Sequence, residues 1–222
     1  MAGPMILLRK LETARRLGPR RSIRNVVRLV TQVFWIRERL VVFRILPPQL
    51  NPVDPALDDS RWTARSVDGP DFIDRVSGEV SSSLSAELSI AAPDQRVHWI
   101  EVEGQIASWG FSIPVTDDWP LVETRSRLAV PPGGVYLISF ETVAPLRGHR
   151  LYPAVLTRIL EERFSEGHTA AYIWCRPGNR ASYRAIKRVG FQELEQHDYA
   201  RLFGIPWRRT LRWHTDPVAA LG

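Results

Sequence analysis

The sequence has one cysteine, Cys175, in 222 residues. An internal disulfide is therefore impossible, and a reducing compartment is compatible with the chain. Cys175 ends the apolar run Tyr172-Ile173-Trp174-Cys175, a setting that suits a buried, inert thiol rather than a nucleophile. No group of His, Cys and carboxylate residues has the spacing of a metal site, and no Ser-His-Asp arrangement is readable. No uninterrupted apolar run is long enough to cross a bilayer. The start carries basic residues but no clean apolar stretch with a cleavage site, so a secretory signal is not expected; an arginine-rich transit peptide stays open. Internal repeats and extended low-complexity tracts are absent.

An apolar fraction of 44% is enough for a proper core. Eight tryptophans add large buried surfaces or an aromatic-lined cleft. The net charge of +6 is unevenly placed: residues 1–50 hold eleven Lys and Arg against two Glu, a balance of +9, which leaves −3 for the rest. Residues 22–39 have a helical pattern, with Ser22 as cap and Ile23, Val26, Val27, Leu29, Val30, Val33 and Phe34 on a broad apolar face. Arg20, Arg21, Arg24 and Arg28 border that face. A basic amphipathic helix can make peripheral contact with an anionic membrane, so a membrane-associated location joins the cytoplasmic one as an expectation. The plainer reading, a helix packed on the domain with its arginines in water, is preferred. No nucleic-acid motif accompanies the charge, and no nucleic-acid partner is expected.

Residues 39–46 alternate partly and predict a strand, stopped by Pro47-Pro48. Residues 1–50 therefore read as a basic helical extension with a first strand. Residues 51–60, rich in Pro and Asp, form the one plausible boundary; the main domain is 51–215 and a frayed tail 216–222. Within the domain, the pattern predicts a strand at 62–67, a helix at 72–84, a hairpin at 97–113 turning at Glu103-Gly104-Gln105, and a strand at 121–130. Two further strands, 192–202 and 207–215, follow Phe191.

The chain turns on residues 134–152. Gly134-Val135-Tyr136-Leu137-Ile138-Ser139-Phe140 is a buried strand that runs to Val143. After Val143-Ala144-Pro145 come Arg147-Gly148-His149-Arg150, then a helix over 149–164 with Pro153 in its first turn, where a missing N–H is harmless. A helix start offers unpaired N–H groups and the positive end of a dipole, and an arginine beside it strengthens its pull on phosphate. A second strand–turn–helix unit follows: a strand over 169–175, a turn at Pro177-Gly178, a helix over 180–188, and Gly190 ending it.

These two segments resemble the signatures of the GNAT superfamily of acyl-CoA-dependent N-acyltransferases. The first family pattern is Arg/Gln-x-x-Gly-x-Gly/Ala after a strand often ending Val-x-Pro; Arg147 and Gly148 match it. Arg150 stands where the family has its first key glycine, and Tyr152 where a second small residue is usual. The second pattern is strand-Asn-x-x-Ser/Ala-helix-Gly-Phe, matched by Asn179, Ser182, Gly190 and Phe191 at the family's spacing. Together they cover residues 131–191.

The resemblance implies an α/β (α+β) fold: a mixed, mostly antiparallel central sheet flanked by helices, with strand 169–175 parallel to the central strand and splayed from it at the end. It implies an enzyme that transfers acetyl from acetyl-CoA, its co-substrate, to a primary amine of a small molecule such as an amino sugar or amino-acid derivative, with no metal. The alternative is a catalytically weak acyl-CoA-binding or membrane-associated interaction protein. A homodimer is compatible with either. Pantetheine would pair with backbone groups at Glu141, Thr142 and Val143, one N–H of which would also stabilise the oxyanion. The pyrophosphate would sit over Arg147, Gly148, His149, Arg150, Leu151 and Tyr152. Arg150 either binds phosphate or turns to solvent. Tyr152 is a core or rim aromatic, or a phosphate contact; Asn179 and Ser182 touch pantetheine, or serve as helix cap and small first-turn residue. The family's acidic tyrosine, four residues before Gly-Phe, is replaced by Ile186. The general base is assigned to Glu123, walled by Trp119 and Leu121, with Glu101, Glu103, Glu141 and His98 as alternatives.

Overall fold

The computed structural model describes residues 35–50, 62–68, 95–202 and 205–213. The expectations for residues 22–34, 51–60, 72–84 and 216–222 lie outside these residues. The elements in chain order are β1 (Trp35–Ile45), β2 (Trp62–Asp68), β3 (Arg96–Val102), β4 (Gln105–Pro114), β5 (Trp119–Leu121), β6 (Ser126–Leu128) and β7 (Gly134–Thr142). They continue as α1 (Leu151–Ser165), β8 (Ala170–Cys175), α2 (Arg180–Val189), β9 (Gln192–Leu202) and β10 (Ile205–Arg212). Among the described residues eight strands form one sheet in the order β10-β9-β1-β8-β7-β4-β3-β2, while β5 and β6 pair only with each other. Every pairing is antiparallel except β7 with β8. This is the expected mixed, mostly antiparallel sheet.

Side-chain alternation explains the layers. Val41, Phe43 and Ile45 of β1, Val135 and Leu137 of β7, and Ala171 and Ile173 of β8 share a core with both helices. From α1 this core receives Leu151, Val155, Leu156, Ile159 and Leu160; from α2, Ile186 and Val189. The alternate residues Leu40, Val42, Tyr136 and Tyr172 face the other way and are covered by Leu121 and Leu128 of the β5–β6 hairpin. So helices close one face of the central strands and a small hairpin closes the other.

Three local expectations are corrected. Residues 35–39, expected at the end of a helix, are extended, because β1 pairs with β9 from Trp35↔Leu202 onward. A full ladder of backbone hydrogen bonds overrides the local 3.6-residue periodicity. The strand expected over 121–130 is instead the last residue of β5, a turn and the short β6. Arg125 takes a left-handed φ of 51° and its N–H bonds the Val122 carbonyl, folding 122–125 into a turn. Helix α1 starts at Leu151 rather than at His149, because Arg150 before it is left-handed. The β3–β4 hairpin is as expected: Glu103 and Gly104 both have positive φ, the geometry of a two-residue primed turn.

Candidate functional site

The parallel strands β7 and β8 are joined only at Gly134↔Ala170, Val135↔Ala171 and Tyr136↔Tyr172. Beyond Tyr136 they diverge. One cause lies in β7: between Trp109↔Glu141 and Phe111↔Ile138, two residues of β7 oppose the single Gly110 of β4. Ser139 takes a φ of 59° at this bulge. A bulge bends its strand and raises the local twist, which carries the end of β7 away from β8. The Phe140 ring then lies on Gly110, so close that a Cβ there would come within 2.2 Å of it.

The opening is a cleft of about 1440 Å³. Its walls are the ends of β7 and β8, its floor is the starts of α1 and α2, and the β5–β6 turn reaches in from the opposite face. A tight turn at Ala144–Leu146 leads from β7 to α1. Arg147 folds back, its Nε donating to the Thr142 carbonyl at 3.0 Å, which holds the guanidinium over the turn. The α1 start has no side-chain cap and no acidic residue in its first turn. Its N–H groups therefore suit an anion.

Of the residues singled out from the sequence, Glu123, Glu141, Thr142, Arg147, Gly148, Arg150, Leu151, Tyr152, Asn179 and Ser182 all line this cleft. Val143 and His149 do not; Val143 packs beside the β3–β4 core, its N–H bonding the Ala107 carbonyl at 2.9 Å, and His149 is exposed. Glu123 sits half-buried on the β5–β6 turn, not on a strand. Asn179 caps α2, its side chain accepting from the Ser182 N–H at 3.2 Å. The Ser182 hydroxyl shares a 3.1 Å hydrogen bond with the Tyr152 hydroxyl, tying α1 to α2 at the cleft floor. Burial holds the Tyr152 phenol above its ordinary range.

The alternative bases separate. Glu101 is occupied by Trp99 Nε1 at 2.9 Å and Arg65 Nε at 3.0 Å, and Glu103 sits in the β3–β4 turn. His98 is buried against the Ser112 hydroxyl at 2.7 Å. None of the three lines the cleft; Glu141 does. Ile186 is fully buried in the core, so no proton donor occupies that place. Tyr183, one turn earlier, donates to the Glu193 carboxylate, which together with burial pushes it up to about 12.

Sequence reasoning missed several lining residues. Arg184 and Arg188 of α2 join Arg147 and Arg150 in giving one end of the cleft a positive charge. Their spacing of four on a helix with Asn179 as cap was a readable signal. Cys175 lines the cleft too, and burial first, then nearby Glu193, pushes its thiol up to about 11. Phe140 was not legible, because its orientation depends on the bulge.

No protein-family model matches the sequence, and no curated protein matches it. Solved structures do match in shape. The GCN5-related glucosamine N-acetyltransferase region of a fungal multi-domain beta-N-acetylglucosaminidase superposes with a TM-score of 0.53 at 9% identity, over 84% of this chain and 23% of that one. A GCN5-related N-acetyltransferase-like protein from Streptococcus suis gives a TM-score of 0.51 at 12% identity, over 79% of this chain and 67% of that one. A GCN5-related N-acetyltransferase from Kribbella flavida gives 0.47 at 15% identity, and this chain covers 59% of its length. The chain has the fold of the GCN5-related N-acetyltransferases, the GNAT superfamily.

The departure at Arg150 now has a backbone meaning. Arg150 takes φ 62° and ψ 15° at the α1 cap, a conformation that costs a residue with a Cβ about 1–2 kcal/mol and glycine little. Arg150→Gly is expected to raise unfolding stability by about 0.5–1 kcal/mol, read from denaturant midpoints. Weaker acetyl-CoA binding in the same variant would mean that the side chain, not only the backbone, meets the ligand.

Proposed function

We propose that this protein is an acyl-CoA-dependent N-acyltransferase. It moves acetyl from acetyl-CoA to a primary amine of a small molecule, such as an amino sugar or an amino-acid derivative. The observation that carries this reading is the wedge between β7 and β8, with uncapped helix N–H groups and arginines at one end and the Glu123 carboxylate at the hairpin end.

The pyrophosphate lies over the 147–152 turn, against the α1 N–H groups and the outer guanidinium nitrogens of Arg147. Pantetheine runs along the end of β7. Strand alternation selects the backbone donor there: the Val143 N–H points to β4, so the Thr142 N–H points to the cleft side. The Thr142 N–H is therefore the oxyanion donor. The ammonium gives one proton to Glu123, the neutral amine attacks the thioester carbonyl, and the C–S bond breaks as the nitrogen releases its second proton to water. CoA leaves as thiolate and takes a proton from water, since Ile186 offers none.

Acetyl-CoA is expected to raise the melting temperature in a thermal-shift assay, as a ligand of the folded state must. Arg147→Ala should weaken that binding by about 1.5–3 kcal/mol, measured by calorimetry. No shift with acetyl-CoA, longer acyl-CoAs or free CoA would overturn the reading. Where binding is found, product formation with a panel of amines, beginning with glucosamine, separates turnover from binding alone.

A further inference from the structure

At the β9–β10 end of the sheet, three large apolar side chains stand in solvent: Leu202 at 39%, Ile205 at 63% and Trp207 at 69% exposure. The strand register puts them together. Ile205 pairs with Leu202, and Trp207 with Ala200. Side chains on one face alternate, so Leu202, Ala200, Ile205 and Trp207 share a face. β10 is also the last strand of the sheet, and its outer edge pairs with no other strand among the described residues. An exposed apolar group on a free sheet edge is an unusual cost for a protein surface, and marks a contact site.

Charge says what kind of contact. On the apolar face itself stand Arg37, opposite Ala200, and Arg209, opposite Asp198, both exposed, with half-buried Arg39 beside them; exposed Arg208 lies on the other face of the same edge strand. The nearby carboxylates are engaged: Asp198 by Arg39 at 2.6 Å, and Glu38 by Arg176 at 3.1 Å. The first described strand begins at the same place, because Trp35 is the register partner of Leu202. The residues before it, 1–34, carry eight Lys and Arg against the single Glu12.

We propose that this end of the sheet docks on an anionic lipid surface, Ile205, Trp207 and Leu202 entering the interface while the flanking arginines meet the headgroups. Tryptophan and aliphatic side chains ringed by arginine fit the boundary between headgroup and acyl chain. The other occupants fit less well. The chain's own first 34 residues and a second copy of this end are both basic, so either would bring like charges together. Single-stranded nucleic acid would use aromatic faces, and among the described side chains the patch offers one exposed tryptophan beside two aliphatic residues. The proposal is independent of the chemistry in the cleft.

The test uses the full chain and sedimentation with vesicles of phosphatidylcholine alone or with phosphatidylserine added. Binding to the phosphatidylserine vesicles, weakened by salt, is expected. Ile205→Ser with Trp207→Ala should lower it at least about tenfold, and Arg37→Glu with Arg209→Glu should lower it by at least about fivefold per charge. Unchanged melting temperatures in both double variants exclude unfolding. Absence of vesicle binding, or binding untouched by both pairs of substitutions, overturns the proposal. A concentration-dependent dimer abolished by Ile205→Ser with Trp207→Ala, without vesicle binding, makes the face a self-interface instead. Single-stranded RNA binding lost with the same changes, again without vesicle binding, makes it a nucleic-acid surface.

Discussion

Glu123→Gln is expected to lower turnover by about 10²–10⁴-fold while acetyl-CoA binding survives. The reaction needs an unprotonated amine, and an alkylamine is mostly ammonium near neutral pH. A group at the acceptor end of the cleft has to take that proton. Glu123 is half-buried on the 122–125 turn and lines the cleft, far along the chain from the arginine-rich phosphate end. Two residues before it Leu121 is fully buried, and Trp119 stacks on Tyr136 with ring centroids 4.4 Å apart. Burial first, and the Glu123 charge second, keep the Tyr136 phenol well above its ordinary range, so Tyr136 stays protonated and does not compete as the base. Glutamine preserves size and hydrogen-bonding reach and removes the basic oxygen. Steady-state rates give turnover, and calorimetry gives acetyl-CoA affinity. Glu141→Gln is the matched control, expected to stay within a few-fold of the parent, because Glu141 is exposed at the strand end. If Glu123→Gln keeps parental turnover, the base is Glu141 or a water chain.

Arg163→Ala is expected to destabilise the fold by about 2–4 kcal/mol without touching the cleft. Arg163 lies on α1 at only 4% exposure, where a bare charge would be expensive. Its Nε donates to the Ser112 hydroxyl at 2.8 Å and its Nη1 to Glu166 at 3.0 Å. The same Ser112 hydroxyl meets His98 Nε2 at 2.7 Å. Arg96 on β3 reaches Glu162 at 2.6 Å, and also Glu166. The cluster joins α1 to β3 and β4 through a polar layer, so removing Arg163 takes a donor from the buried Ser112 hydroxyl and carbonyl under the helix. Denaturant unfolding measures the loss. Arg163→Met, which fills the space without a charge, should recover part of it.

The same cluster sets an acid limit on stability. Its hydrogen bond to His98, with Arg96 and Ser66 adding, brings Glu162 down to about 2. Desolvation lowers His98 below its ordinary 6.5, against the pull of Glu162. Both groups have folded values below their unfolded ones, so the unfolded chain takes up protons first and stability falls with pH. The His98 contribution is full above about 6.5 and is lost below it; the Glu162 contribution is full above about 4.5 and is lost toward 2. Urea midpoints between pH 8 and 3 should decline in that order, and His98→Gln should remove the upper part of the decline. A flat profile down to pH 4.5 would mean that His98 is protonated in the folded state.

The primary sequence by itself determined the elements whose signals are local. The β7 apolar run, the Gly104 turn, Pro153 in the first turn of α1, and the Asn179 cap with Gly190 closing α2 each follow from the backbone preferences of a few consecutive residues. They also brought nine of the eleven residues expected to meet acetyl-CoA to the cleft, because a strand followed by a helix sets its turn in one location. Tertiary structure decided the rest, through contacts between residues far apart in sequence. β1 begins at Trp35 because β9, more than 150 residues later, offers a ladder there. Glu123 is on a turn because Leu121 and Leu128 are both needed to cover Tyr136 and Tyr172, which a single straight strand could not do. The cleft itself opens where β7 has one residue too many for β4, with Gly110 making room for the Phe140 ring. That mismatch exists only once the two strands are paired, so neither strand's own sequence could announce it.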